Sequence, residues 1–348
     1  MALRLWFLLT VIAILVLAGG RAARSAPAEL FAGHCTPPEM AARIRTLGAG
    51  FDGQIGIAVT DLRDGWTVSW KGDDHFPQES VAKLWTVIAT LDAVDSGHLQ
   101  VEEEALLTWD DLSVFHEPIG DRIGRRGYRT FIAELVRAAI IDSDNAANDF
   151  LVRRLGGTRA VQDAMRRKGL SGIAAGIQQR ELQAHMAGLV WRPELDGGER
   201  LEAARSRLDP SVREAAMRRY LADPEDGASP LASVRALKAL AEGKLLSPDS
   251  TDRLIRLMHS TVHGEERLNG GLERGWTLAH KTGTGQHLGP LHVGTNDIGI
   301  LTAPDGHAYA VAVFEGSSAA PLIVREGLMR RVAEAVVETW QAGRPPAQ

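Results

Sequence analysis

Strand-like segments occur near both ends of this chain, and helical patterns fill its middle. Near the N-terminus they run from Gln54 to Leu62 and from Trp66 to Trp70, around the turn-forming pair Asp64-Gly65. The C-terminal segments are residues 277–281, 295–302 and 308–314. We therefore predict an α/β fold of the α+β sandwich type, in which both chain ends build one antiparallel sheet flanked by helices and the middle forms an inserted all-α lobe.

Helical periodicity supports the same division. A short helix is predicted from Glu39 to Leu47 and a terminal amphipathic helix from Leu322 to Trp340. Between them, a helix from Val81 to Val94 is predicted to bury one face, and further helices are expected at 130–141, 146–155, 159–168, 230–243 and 249–260. The predicted units are residues 30–75 with 272–345 for the sheet lobe and 76–271 for the helical lobe. We expect a site in the cleft between them.

One stretch of the helical lobe, at about residues 186–227, mixes arginine and acidic residues densely. A helix is predicted to begin at Asp209-Pro210-Ser211. The stretch is interpreted as a solvated helical insertion, either a lid over the cleft or an inert surface elaboration.

The N-terminus predicts export. An apolar run from Leu5 to Ala18 is shorter than the ~20 residues that a membrane helix needs. Ala26-Pro27-Ala28 offers a cleavage point, so residues 1–26 are predicted to be a signal peptide, although Arg21 and Arg24 leave an uncleaved anchor open. We expect a periplasmic or secreted protein with no stable membrane association after cleavage.

Charge and cysteine content exclude other classes. The formal net charge of −5 gives no indication of nucleic-acid binding. Cys35 is the single cysteine, so no internal disulfide can form and the fold must be held by packing. We expect a monomer that acts on a small molecule.

Three short motifs follow one another: Ser80-Val81-Ala82-Lys83, Ser143-Asp144-Asn145 and Lys281-Thr282-Gly283. By chance the first is expected about once in such a chain, whereas each of the others is expected in well under ~0.1 copies. Each alone has a structural explanation, as a helix cap with a surface lysine, a second cap, and a strand end before a glycine turn. Their combination instead predicts a serine acyl-transfer site.

The residue types suit that chemistry. A serine hydroxyl is a poor nucleophile at neutral pH, and a nearby group must take its proton. Lys83 lies one helical turn after Ser80 and can do so if its pKa falls, through burial and through a second cation such as Lys281. Backbone N–H groups at the nucleophile and on a facing strand would stabilise the oxyanion.

With these motifs in place, the chain resembles class A serine β-lactamases, which share them with penicillin-binding proteins. The stretch from His263-Gly264 to His280-Lys281-Thr282-Gly283-Thr284-Gly285 most resembles the branch that includes the PER-type enzymes. Other matching stretches are Phe76-Pro77, Ala146-Ala147-Asn148, Gly156-Gly157 and Thr295-Asn296-Asp297-Ile298-Gly299-Ile300.

This resemblance implies a role for each catalytic position. Ser80 would be the acylated nucleophile, Lys83 its base partner, and Ser143 a proton shuttle toward the leaving nitrogen. The family also uses a glutamate that orients the hydrolytic water, for which Glu181 is the candidate. In another register Trp191-Arg192-Pro193-Glu194-Leu195-Asp196 matches the family's loop, and Arg192 then replaces that acid. Glu181 would then be an ordinary solvated carboxylate.

The substrate-binding positions follow in the same way. Asn145 would hold the amide side chain of a β-lactam, and Lys281 with Thr282 would bind its carboxylate. The backbone N–H groups of the nucleophile and of Thr284 would form the oxyanion hole. His116 occupies the place where the family often has an aromatic wall.

Two further patterns are weighed and set aside, so no cofactor and no metal is expected. His259 and His263 have the i, i+4 spacing of a zinc pair without the accompanying glutamate, and residues 283–289 resemble a dinucleotide loop with its last glycine one position late. The resemblance implies hydrolysis of the β-lactam ring, and two alternatives stay open: a penicillin-binding D,D-peptidase or transpeptidase that acts on peptidoglycan peptides, and a non-turnover β-lactam-binding sensor domain.

Overall fold

The computed structural model describes residues 37–343. The predicted signal peptide, its cleavage point and Cys35 lie outside the described residues, so those predictions stay predictions. Within the described part, no helix is both long enough and apolar enough to cross a membrane.

Eleven α-helices and eight strands make up the described chain. The helices are α1 (Pro38–Ala49), α2 (Ala82–Asp95), α3 (Ile132–Ile140), α4 (Asn145–Arg154), α5 (Thr158–Arg167), α6 (Gln179–Met186), α7 (Gly198–Ser206), α8 (Pro210–Ala222), α9 (Pro230–Ala241), α10 (Pro248–His259) and α11 (Leu322–Ala342). The strands are β1 (Gln54–Asp61), β2 (Thr67–Trp70), β3 (Glu104–Leu107), β4 (Tyr128–Phe131), β5 (Thr277–Thr284), β6 (His287–Leu288), β7 (Leu291–Thr302) and β8 (Ala308–Ser318).

The main sheet is built from both ends of the chain, which confirms the predicted fold. Its strands follow the order β2-β1-β8-β7-β5, with β6 paired to β7, and all neighbours are antiparallel. Met40 and Ile44 of α1 pack with Val332 and Val336 of α11 in a core on one face of the sheet. On the other face α9 packs against β1 and β8. The sheet thus has helices on both sides.

Helix α2 is the centre of the helical lobe. Every residue from Ala82 to Leu91 is buried, with α3, α4 and α5 around the helix. The prediction of a single buried face is therefore wrong in extent, because neighbouring helices enclose α2. Burial on every side is typical of a helix in the core of a large protein.

Strands β3 and β4 form a separate antiparallel pair in the helical lobe, which was not predicted from the sequence. The helix expected from residue 130 begins instead at Ile132, because Tyr128–Phe131 pair with Glu104–Leu107. Alternating burial along β4, with Thr130 inward and Phe131 outward, is the pattern of a half-buried strand.

The insertion at 186–227 contains α7 and α8. As predicted, a helix begins after Asp209, whose side chain accepts a hydrogen bond from the Ser211 amide at 2.8 Å. Leu201 of α7 is fully buried with Val114 and Ala184. The insertion is therefore packed against the helical lobe and does not extend freely into solvent.

Candidate active site

The turn that carries Ser80 is fixed to the sheet. Ser80 lies in a short 3₁₀ helix, Glu79–Val81, directly before α2. From β7, the Asn296 Nδ2 donates to the carbonyl oxygens of Pro77 (2.8 Å) and Gln78 (3.0 Å). Gly283 of β5 approaches so closely that a Cβ there would lie 2.4 Å from the Gln78 carbonyl oxygen. The glycine of the KTG motif thus lets β5 lie against the turn.

Lys83 is the partner of Ser80. Its Nζ lies 2.8 Å from Ser80 Oγ and 2.6 Å from the carbonyl oxygen of Ser143, and the side chain is fully buried. The alternative of a surface lysine is thereby excluded. Burial lowers the pKa of Lys83 to about 8, although the negative charges of Asp144 and Asp149 act in the opposite direction. At pH 7 about a tenth of the Lys83 side chains are then neutral, and the fraction rises toward pH 8.

Ser143 connects the two motif lysines. Its Oγ accepts a hydrogen bond from Lys281 Nζ at 2.9 Å and lies 3.3 Å from Lys83 Nζ. Its backbone φ is 57°, an uncommon conformation for a residue with a side chain. Burial, and then the charge of Lys83, lower the pKa of Lys281 well below its ordinary value. The three motifs therefore meet at one point, as predicted.

The remaining residues of the SDN motif have separate tasks. Asp144 caps α4 by accepting from the Ala147 amide at 2.8 Å, and its other oxygen accepts from the Ile119 amide at 2.7 Å. Asn145 donates from Nδ2 to the Val114 carbonyl oxygen at 2.7 Å. Asp144 thus shapes the loop, whereas Asn145 faces the cleft.

Two adjoining cavities open beside Ser80. The first, of about 320 Å³, contains the residues around the KTG strand. There Arg267 donates from Nη2 to Thr284 Oγ1 at 2.8 Å and from Nη1 to the Gly283 carbonyl oxygen at 2.9 Å. With Lys281 behind it, this cavity suits an anionic group. Its lining residues are Ser80, His116, Ser143, His263, Gly264, Arg267, Thr282 and Thr284.

The second cavity, of about 250 Å³, extends toward α6 and the insertion. Arg205 of α7 lines it and donates a hydrogen bond to Gln286 Oε1. The insertion thus contributes a side chain to the cleft wall, which an inert elaboration would not do. The cavity is lined by Ser80, Phe115, His116, Asn145, Gln179, Gln183, Arg205, Thr284, Gly285, Gln286 and His287.

Histidines border the cleft without forming a metal site. His116 lines both cavities, and its Nε2 lies 2.7 Å from the Asp142 carbonyl oxygen. The ring of His263 lies edge-on to it, with centroids 5.6 Å apart. His259 contacts the Leu278 carbonyl oxygen instead, at 3.0 Å. Over residues 37–343, no three His, Cys, Asp or Glu side chains group as metal ligands.

Glu181 is the predicted site residue that the structure does not bring to the cleft. It is half-buried on α6, where its Oε1 accepts a hydrogen bond from Gln178 Nε2 at 3.0 Å, and it lines neither cavity. Gln179, two residues earlier, lines the second cavity. In the other register Arg192 is exposed, directly before a 3₁₀ helix at Pro193–Leu195, and also lies outside both cavities.

A buried acidic cluster behind the nucleophile turn was not predicted. Glu79 is fully buried at a φ of 55°, and the Tyr220 hydroxyl lies 3.1 Å from its carboxylate and 2.9 Å from that of Asp226. Asp226 also accepts hydrogen bonds from the amides of Gln78 (3.1 Å) and Glu79 (2.6 Å). The cluster thus holds the nucleophile turn against the end of the insertion.

Burial, and then the charge of Asp226, raise the pKa of Glu79 to about 8. Since an unfolded glutamate titrates near 4.5, the folded state binds more protons between these values, and its stability falls as pH rises through this window. We expect Glu79→Gln to flatten this dependence, which amounts to at most about 1.4 kcal/mol per pH unit. Urea unfolding at pH 5.5 and 8.5 measures it. The exposed Glu194→Gln variant should keep the wild-type slope, and equal slopes in all three proteins would contradict the assignment.

A sheet from both chain ends, a helical lobe, and a serine hydroxyl bonded to a buried lysine beside the SDN and KTG motifs define a serine acyl-transfer enzyme. The described geometry agrees with comparison to known proteins. Residues 39–340 match the Beta-lactamase enzyme family, and the chain belongs to that family.

Individual relatives support the resemblance to class A enzymes. Beta-lactamase VEB-1 of Pseudomonas aeruginosa is 26% identical over 288 residues, which cover 82% of this chain and 84% of that protein. Extended-spectrum beta-lactamase PER-1 of the same species is 26% identical over 305 residues, covering 85% and 86%. A beta-lactamase structure from Chitinophaga pinensis superposes with a TM-score of 0.71 at 29% identity, over 88% of this chain and 99% of that one.

Proposed function

We propose that this protein hydrolyses β-lactam antibiotics through an acyl-enzyme on Ser80. The observation that carries the proposal is the 2.8 Å contact between Ser80 Oγ and the buried Lys83 Nζ, in a cleft that Lys281 also reaches through Ser143. The names of the relatives support β-lactams as the substrate class.

Ring opening uses the three motifs in sequence. Neutral Lys83 takes the proton of Ser80 as Oγ attacks the lactam carbonyl carbon, and the C–N bond of the ring then breaks. The proton passes from Lys83 to the ring nitrogen through the Ser143 hydroxyl, which contacts both lysines. The backbone N–H groups of Ser80 and Thr284 stabilise the oxyanion. Water then releases the opened product from Ser80.

Substrate orientation comes from the walls of the cleft. Lys281 and Thr282 attract the substrate carboxylate, and charge-assisted hydrogen bonds of this kind fix both position and direction. Asn145 holds the amide side chain, and His116 forms the wall on which the ring system rests. No cofactor takes part in these steps.

The mature protein is further proposed to be an exported monomer, periplasmic or secreted, after removal of residues 1–26. The apolar run and the Ala26-Pro27-Ala28 site support this proposal. N-terminal sequencing of protein recovered from the expressing cells tests it, and a mature protein that retains Leu5 to Ala18 would contradict cleavage.

Counting product molecules per enzyme tests the proposed hydrolysis. Purified protein is incubated with a hundredfold excess of a chromogenic cephalosporin, and ring opening is followed alongside intact mass. More than one opened ring per Ser80 is expected. Consumption that stops at one equivalent would favour the peptidase or the sensor alternative, and release of D-alanine from a pentapeptide would then identify the peptidase.

A further inference from the structure

Deacylation needs a general base, and the described residues that line the cleft offer no carboxylate for this role. Of the described residues that line the two cavities beside Ser80, none carries a carboxylate. The α6 residues that reach the second cavity are Gln179 and Gln183. Hydrolysis of an ester on Ser80 requires a water molecule and a group that takes its proton. A glutamine amide can position water but cannot accept that proton.

The orientation of α6 is fixed by Asp149 of α4. This buried carboxylate accepts hydrogen bonds from the amide of Gln179 at 2.6 Å and from the amide of Arg180 at 3.1 Å. It also accepts from Ser113 Oγ at 2.8 Å. Because the first turn of α6 is held at its amides, each of its side chains has one defined direction.

That direction brings Gln179 to the cleft and turns Glu181 away from it. Successive residues of an α-helix are rotated by about 100°, so Glu181 lies about 200° around the helix from Gln179. The contact between Glu181 and Gln178 agrees with this placement. While Asp149 holds the first turn of α6, Glu181 therefore stays on the other side of the helix from Gln179.

The side-chain Nε2 of Gln179 has no hydrogen-bond partner among the described residues, although the residue is only 1% exposed. Leaving a buried donor without a hydrogen bond costs free energy. This cost is relieved when a water or a substrate atom in the second cavity accepts the hydrogen bond.

We propose that Gln179 orients the hydrolytic water and that this chain releases its acyl-enzyme without a carboxylate base. The proposal rests on the proposed function. The water oxygen bonds to the ester carbon while its proton passes to neutral Lys83, the base that contacts Ser80 Oγ. The bond from that carbon to Oγ then breaks, and Lys83 returns the proton to the serine. Without a carboxylate, this step is slow and the acyl-enzyme accumulates.

Gln179→Glu tests the proposal by supplying the missing base. Stopped-flow measurements separate acylation from deacylation, and intact mass gives the fraction of protein acylated at steady state. Wild-type protein should show a burst of one equivalent and a standing adduct. We expect Gln179→Glu to raise the deacylation rate constant at least tenfold and to remove most of the adduct, because a positioned base contributes roughly 10²–10⁴-fold.

Two further variants keep the test decisive. Gln178→Glu adds the same charge one residue earlier, where the side chain contacts Arg153 and Glu181 outside the cleft, and should leave deacylation within about twofold of wild type. Gln179→Ala removes the amide and should slow deacylation further while the burst persists. The burst itself shows that each variant is folded and acylated.

Different results would overturn the two proposals. A wild-type protein that turns over with no standing adduct, together with a Glu181→Gln variant that traps one, would assign the deacylating acid to Glu181 and overturn the role of Gln179. Equal effects of the changes at 178 and 179 would do the same. Absence of both ring opening and adduct in the wild-type protein would instead refute the proposed function.

Discussion

Replacing Ser80 with alanine is expected to abolish both turnover of a chromogenic cephalosporin and the covalent adduct. Among the described residues, Ser80 is the one whose hydroxyl contacts Lys83 and which also lines both cavities. Loss of a catalytic serine typically costs on the order of 10⁶-fold in rate. Steady-state kinetics and intact mass on the same samples measure both effects.

The control for this variant is another serine to alanine change. Ser260→Ala removes an exposed hydroxyl that bonds only to the Arg256 carbonyl oxygen at the end of α10, and should keep wild-type kinetics. A Ser80→Ala protein that still gains the mass of an opened β-lactam would show that the acyl group is carried elsewhere.

Replacing Lys83 with methionine is expected to slow acylation by about 10²–10⁴-fold, the usual contribution of a general base. Methionine fills a similar volume in the enclosed site but accepts no proton. In wild-type protein, acylation should rise about tenfold per pH unit below pH 8 and level off above it, because the lowered pKa of Lys83 sets its neutral fraction. The variant should lose this rise. Single-turnover acylation from pH 6 to 9.5 provides the measurement.

Neighbouring acids titrate in the same range and must be separated from Lys83. The pKa of Glu79 is raised to about 8 and that of Asp226 to about 6, in each case mainly by burial. Both stay in Lys83→Met, so a pH dependence that disappears in this variant belongs to the lysine. Lys244→Met, at an exposed position, is the matched control. Unchanged acylation and an unchanged profile in Lys83→Met would exclude it as the base.

The sheet and the meeting of the three motifs could be predicted from local patterns. Strands β1 and β8 have strong apolar patterns, so their pairing across most of the chain follows from the need to cover one sheet. Ser80 and Lys83 are three residues apart at the start of a helix, which brings their side chains together in almost any context. The contact between Ser80 and Lys83 is predictable because it depends only on the geometry of one helical turn.

The face of α6 could not be predicted in this way. Gln178, Gln179, Arg180 and Glu181 are four consecutive polar residues, so apolar periodicity does not indicate which of them points inward. Asp149 decides it through hydrogen bonds to backbone amides, which leave no trace in the identity of the residues that they hold. A glutamate was therefore predicted where an amide lies.

The buried acidic cluster of Glu79, Tyr220 and Asp226 could not be predicted from the sequence either. Glu79 and Asp226 are 147 residues apart, and each resembles an ordinary surface acid in the sequence. Their burial follows only when the end of the insertion returns to the nucleophile turn. Contacts between residues so far apart in the sequence depend on the completed fold, and no local sequence pattern predicts them.

Arg205 lines the cleft from a different part of the chain than the catalytic groups. The groups that make and break bonds come from α2, the SDN loop and β5, whereas this guanidinium enters from a stretch with its own small core around Leu201. The shape of the cleft wall and the bond-making groups thus come from separate stretches of the chain. A change within the insertion can therefore remodel the wall of the second cavity while Ser80, Lys83 and Lys281 stay in place.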